Sequence, residues 1–81
     1  MQITLINSAE TRLLIAKTGE SLRSFSKRIG ISQGYLSQIL SMKKKPSANV
    51  AYKIARGLNV DIEEIFLIKV NDISINDALE A

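Results

Sequence analysis

A mainly α-helical single domain of five helices, spanning residues 1–81 and with terminal segments able to form a small β-sheet, is the fold class this sequence predicts. Three observations carry that reading. Apolar residues recur at spacings of three and four in successive windows, as in Leu22, Phe25 and Ile29, then Leu36, Ile39 and Leu40. Residues that start helices (Ser21, Ser32, Ser47) stand directly before those windows. Alternating β-favouring runs occur only near the two ends of the chain.

The elements follow in order. Ile3, Leu5 and Ile6 make a short β-favouring run over 3–6, and Asn7 and Ser8 can accept first-turn amide protons, so a first helix is expected over about 9–17, ended by Gly19. Ser21 caps a second helix over 22–29, and Gly30 stops it. After the apolar link Ile31, Ser32 caps a third helix over 33–41. Its outer side carries Gln33, Gly34, Ser37, Gln38 and Ser41, with no acidic residue among them.

Beyond a Lys43-Lys44-Lys45 loop, Pro46 and Ser47 start a fourth helix over 48–58 that turns Val50, Ala51, Ile54, Ala55 and Leu58 inward. Asn59 suits a left-handed closing conformation. Asp61 with Glu64 three residues later is capping-box-like and predicts a short fifth helix over 62–66. Segments 67–70 and 73–75 are β-favouring around a turn at Asn71 and Asp72, and 3–6 is the natural strand to pair with them. The pattern leaves open whether that pairing is within a chain or across a dimer.

Composition removes whole classes of function. The chain has no cysteine and no histidine, so disulfides, thiolate or imidazole zinc sites and Cys or His nucleophile pairs are absent. The remaining Asp and Glu lack a partnering nucleophile or metal set, so we expect no enzyme, no catalytic residues, no metal and no cofactor. No signal-peptide pattern and no long apolar run is present, which makes the cytoplasm the expected location. A chain of 81 residues buries only about 60% of its unfolded surface, which favours a stabilising second subunit.

The net charge of +3 conceals an asymmetry. Residues 1–58 carry ten Lys or Arg against Glu10 and Glu20, for +8, while residues 59–81 carry Lys69 against six acids, for −5. A basic body with an acidic end fits a polyanion on one face, although charge of this kind also simply solubilises a surface.

The stretch from Leu22 to Ser41 concentrates the functional signal: a periodic helix, a Gly30-Ile31-Ser32 turn, and a helix with a neutral hydrogen-bonding face. Two helices joined so tightly must cross steeply, and Ser26 offers a small side chain where they approach. A glutamine amide can donate to and accept from an adenine edge together, which discriminates by about 1–3 kcal/mol and suits Gln33 and Gln38 to base reading, although a glutamine on a helix surface is usually just solvated. Lys43, Lys44 and Lys45 suit phosphates regardless of sequence. Tyr35 suits either a phosphate contact or partial core packing.

Here the sequence resembles the lambda-repressor-like (Cro/C1-type) helix-turn-helix family over roughly Ala9 to Phe66. The residues that carry the resemblance are Leu22, Phe25, Ser26, Gly30, Ile31, Ser32-Gln33, Leu36-Ser37-Gln38-Ile39, Pro46-Ser47, Ile54-Ala55, Leu58, Val60 and Ile65-Phe66, in register without gaps. The resemblance implies a five-helix DNA-binding domain in which Gln33, Gly34 and Gln38 face base edges, with Ser37 beside them. It implies that Ser21, Tyr35 and the loop of Lys43, Lys44 and Lys45 meet phosphates, and Arg23 and Ser32 join them as phosphate candidates.

The chain departs from the family in two places. An arginine and a glutamate that often pair beneath the surface are replaced by Ile15 and Leu40, which we expect to touch in an apolar core. Met42 stands where the family commonly has glycine, which argues against a left-handed helix end there.

The function expected from this reading is a dimeric transcriptional repressor that binds a palindromic operator in double-stranded DNA, with no room for an effector domain and with promoter occlusion as its mechanism. The alternative is a protein-interaction module, such as the antitoxin of a toxin–antitoxin pair, using the 67–75 segment with or without autoregulatory DNA binding. A nonspecific architectural protein is a third option, against which the two glutamines argue.

Overall fold

The computed structural model describes residues 1–70. Its order is β1 (Gln2–Leu5), α1 (Ser8–Lys17), α2 (Leu22–Ile29), α3 (Gln33–Leu40), α4 (Ala48–Gly57), α5 (Ile62–Ile65) and β2 (Phe66–Lys69). The expected strand at 73–75 and the turn before it lie outside the described residues. The fold is that of a lambda-repressor-like helix-turn-helix domain with a small added sheet.

Local side-chain chemistry sets the helix starts. The Asn7 side chain accepts from the Glu10 amide at 3.0 Å, Ser21 from Ser24 at 3.1 Å, Ser32 from Tyr35 at 3.1 Å and Ser47 from Val50 at 3.2 Å. Each cap satisfies one of the amides that a helix start leaves orphaned and is worth about 1 kcal/mol. At α5 the bond runs the other way: the Glu64 carboxylate accepts from the Asp61 amide at 2.9 Å.

Helix ends follow backbone conformation. Gly30, expected to stop α2, has φ 85, and Asn59 has φ 59, the left-handed closure expected there. Met42 corrects the expectation: its φ is 64, so the end of α3 is left-handed without glycine. The compensation is visible in hydrogen bonds, because the amides of Lys43 and Lys44 both donate to the Gln38 carbonyl, at 2.9 and 3.2 Å, and Met42 donates to Ile39 at 3.0 Å. Those three bonds outweigh a left-handed penalty of about 1–2 kcal/mol.

Other boundaries move by one residue. Helix α1 includes Ser8, α3 stops at Leu40 and α4 at Gly57. Helix α5 ends at Ile65 because Phe66 is extended (φ −126, ψ 140) and pairs with Leu5 in the sheet. The strands pair antiparallel within one chain, with Gln2 opposite Lys69, Ile3 opposite Ile68 and Thr4 opposite Leu67. Ile6 falls outside the ladder, but its amide still reaches the Ile65 carbonyl at 2.9 Å.

One core lies beneath these elements. Phe25, Leu36 and Ile54 are fully buried, each stabilising the fold by about 1.5–3 kcal/mol, and Ile3, Leu5 and Phe66 bring the sheet onto the same cluster. Ile15 and Leu40 both belong to it, on the contacting helices α1 and α3. The Ser8 hydroxyl donates to the Leu40 carbonyl, tying the start of α1 to the end of α3. Two buried polar side chains are satisfied locally: Thr11 donates to the Asn7 carbonyl at 3.0 Å and Ser26 to the Arg23 carbonyl at 2.9 Å.

Candidate nucleic-acid interface

Helix α3 is built with one face in the core and one in solvent. Leu36, Ile39 and Leu40 are buried, whereas Gln33, Gly34, Ser37 and Gln38 are all exposed. Their spacing places them along one stripe of the helix. Among the described residues, no intramolecular hydrogen bond engages the Gln33 or Gln38 side-chain amide. A Cβ built on Gly34 meets nothing within 4 Å, so the fold itself imposes no need for glycine there.

The turn that presents this helix is held by backbone bonds. The Ser26 carbonyl accepts from both Gly30, at 2.9 Å, and Ile31, at 3.0 Å. The half-buried Ile31 packs on the core, and the chain then enters α3 through the Ser32 cap. Helix α3 begins with no acidic residue in its first turn, which leaves its positive dipole end uncompensated.

The phosphate candidates fall in three places. Ser21 and Arg23 are exposed at the start of α2, and Ser32 is exposed at the start of α3. The two serine hydroxyls already accept as caps, which leaves each free to donate. Lys43, Lys44 and Lys45 are exposed in the loop whose amides hang on the Gln38 carbonyl, and the buried Pro46 returns that loop to the body. Of the two roles expected of Tyr35, core packing is the one observed: the residue is half-buried against the core on the first turn of α3.

A second basic group, apart from these candidates, involves Arg28 of α2 with Lys53 and Arg56 of α4. The Arg28 guanidinium grips the Glu20 carboxylate through Nε at 3.0 Å and Nη2 at 2.8 Å, and Nη2 also donates to the Gly57 carbonyl at 2.9 Å. That hydrogen bonding holds the Glu20 carboxyl below its ordinary range and raises Arg28. Nearby, Arg56 lies 5.8 Å from the Tyr52 ring centre. Arg28, Tyr52, Lys53, Arg56 and Gly57 line an open concavity of about 390 Å³ between α2 and α4. The capping and periodicity signals behind the helix assignments are local, whereas the Arg28 bond to Gly57 that joins α2 to α4 spans 29 positions.

Where α2 and α4 cross, Gly57 makes the close approach. A Cβ there would lie 2.5 Å from Ile29 Cγ2 and 3.0 Å from the Phe25 ring. Among the described residues no group of three or more Asp or Glu is placed to hold a metal ion. None of the described helices is long and apolar enough to cross a membrane.

Residues 16–65 match the helix-turn-helix family. Two curated proteins carrying the description "uncharacterized HTH-type transcriptional regulator", from the Mycobacterium tuberculosis strains CDC 1551 / Oshkosh and H37Rv, are each 40% identical over 47 residues. The aligned part is 58% of this chain and 34% of each relative, so the chain spans about a third of the length of the curated relatives it matches. No solved structure matches.

Proposed function

Because the chain belongs to the Cro/C1-type helix-turn-helix family, we propose that it is a sequence-specific double-stranded DNA-binding transcriptional regulator, acting as a dimeric repressor on a palindromic operator. The observation that carries this reading is the exposed, neutral, hydrogen-bonding stripe of Gln33, Gly34, Ser37 and Gln38 set beside a tri-lysine loop. The stripe suits base edges and the loop suits phosphates. In this proposal α3 lies in the major groove, Gln33 and Gln38 read bases, and Gly34 lets the helix backbone approach closely. Ser21, Arg23, Ser32, Tyr35 and the three lysines fix the register on the sugar-phosphate backbone. Two subunits place their third helices about 34–36 Å apart in successive major grooves.

The test is selection of bound duplexes from a random DNA pool near physiological salt. The proposal expects a palindrome with half-site centres about one helical turn apart. Gln38→Ala then relaxes preference at one position per half-site, while Lys44→Ala weakens all sequences alike and reduces the salt slope by about 1. Equal losses on matched and scrambled DNA for the glutamine variant would contradict the reading role.

A second reading, a protein-interaction module, is favoured by the exposure of Leu67 (51%) and Val70 (64%) on and beyond β2. The two functions are compatible. DNA binding that falls about a thousandfold or more between 50 and 200 mM salt supports the regulator, and its absence supports the interaction module.

A further inference from the structure

Helix α1 is the least amphipathic of the long helices in its arrangement. Thr11 and Ile15 point into the core, yet Leu13 is 53% exposed and Leu14 only half-buried. Beside these two leucines runs a groove of about 270 Å³, closed on its far side by Val60 and Glu64, with Glu10 and Lys17 also on its lining. The order along the α1 side is acid, leucine, leucine, base: Glu10, Leu13, Leu14, Lys17. Positions three, four and seven apart lie on one helix face, so these residues form a continuous stripe.

That stripe is self-complementary under a two-fold axis. An axis through the midpoint between Leu13 and Leu14 exchanges Glu10 with Lys17 and Leu13 with Leu14. A second copy laid antiparallel across the stripe therefore meets every charge with its opposite and every leucine with a leucine. The Glu64 carboxylate, held by the Asp61 amide at 2.9 Å, adds further negative charge to the groove. We propose that the α1–α5 groove is the homodimer interface of this protein, with α1 packed antiparallel on α1 of a second copy. The inference rests on the dimeric reading above and names the surface that serves it.

Such a contact is isologous: each Glu10 pairs with Lys17 of the other copy, so the pair occurs twice. Two helices of ten residues, each about 15 Å long, make an interface at the small end of the stable range. Self-association is accordingly weak in solution and strengthened when neighbouring half-sites hold two copies together.

The experiment is sedimentation equilibrium of the 81-residue chain from about 5 to 500 µM, spanning the micromolar affinities expected of a small interface. It is run on the wild type, Glu10→Lys, Lys17→Glu and an equimolar mixture of the two variants. Each variant alone turns both attractive pairs into repulsive ones and weakens association by about ten- to thirtyfold. The mixture restores association through the heterodimer. There the lysine introduced at position 10 of one copy faces the glutamate introduced at position 17 of the other, and the second pair is the native Glu10 with Lys17. Leu13→Glu, which brings two carboxylates to the axis, leaves only monomer. Melting curves of every variant check that the exposed substitutions leave the fold intact.

A wild type that is monomeric throughout overturns the proposal. So does a dimer indifferent to both reversals, which would move the interface to another surface such as the sheet, and so does a mixture that fails to regain association. Duplex selection with the same preparation separates the two inferences. Enrichment of a palindrome alongside charge-indifferent dimers refutes only the groove. No enrichment of any duplex alongside charge-sensitive dimers refutes the DNA-binding reading and leaves the groove standing.

Discussion

Replacing Gly34 with alanine sets fold stability and DNA binding against each other. Gly34 is the second residue of α3, it is exposed, and a Cβ on it meets nothing within 4 Å. Glycine inside a helix costs about 0.5–1 kcal/mol relative to alanine. Near a helix end the lower figure applies, so Gly34→Ala stabilises the fold by about 0.5 kcal/mol. For a domain of this size that raises Tm by about 2–4 °C. If the backbone of α3 approaches base edges at Gly34, the added methyl group disturbs a base contact worth about 1–3 kcal/mol in each half-site. Affinity for the selected palindrome then falls at least about tenfold. Thermal unfolding by circular dichroism and fluorescence anisotropy on the palindrome measure the two effects on one preparation. A variant that is more stable and binds worse is the expected result. An unchanged or lowered Tm would show that the site is not open, and undiminished affinity would show that Gly34 does not face the groove floor.

Three further predictions concern the scaffold. Gly57→Ala has the opposite sign in the same secondary structure: its Cβ would sit 2.5 Å from Ile29 Cγ2, and overpacking of the α2–α4 crossing outweighs the gain in helix propensity, for a net loss of about 1–2 kcal/mol in urea unfolding. A stabilised Gly57→Ala variant would refute the close approach. Met42→Gly relieves a left-handed residue that is 53% exposed, and stabilises by about 0.5–1 kcal/mol after allowing for glycine's freedom in the unfolded chain; a loss of stability would mean that the Met42 side chain packs more than its exposure implies. Glu20 is held below its ordinary value of 4.5 by Arg28, so its contribution is present above that pH and is lost as pH falls through the lowered value. The Tm advantage of wild type over Glu20→Gln therefore shrinks from about pH 6 to about pH 3, and parallel profiles would contradict the linkage.

Legibility in the sequence followed the range of the interaction. Ser21, Ser32 and Ser47 could be recognised as helix starts because a cap bonds an amide only three residues away. Gly30 and Asn59 were legible as closures for the same reason. Met42 was not, since its penalty is offset by bonds from Lys43 and Lys44 that depend on the path of the loop. The close approach at Gly57 and the Arg28 bond to the Gly57 carbonyl exist only once α2 and α4 are packed together. At the candidate interface, the polarity of Gln33, Ser37 and Gln38 marked the outer face of α3, while the half-buried Tyr35 required the tertiary structure.

The Gln38 carbonyl, which accepts from both Lys43 and Lys44, couples two things usually treated as separable. The side chain of Gln38 is exposed on the outer face of α3 while its own peptide oxygen anchors the cationic loop. If α3 reads bases as proposed, the lysines cannot settle on a strand at an arbitrary height: their distance from the base edges is measured from the backbone of a reader. A molecule scanning nonspecific DNA on its lysines would thus carry Gln38 already at reading depth. Recognition of the operator would then need no rearrangement between search and capture, and a one-residue insertion between Gln38 and Lys43 would dissociate the two even with every side chain intact.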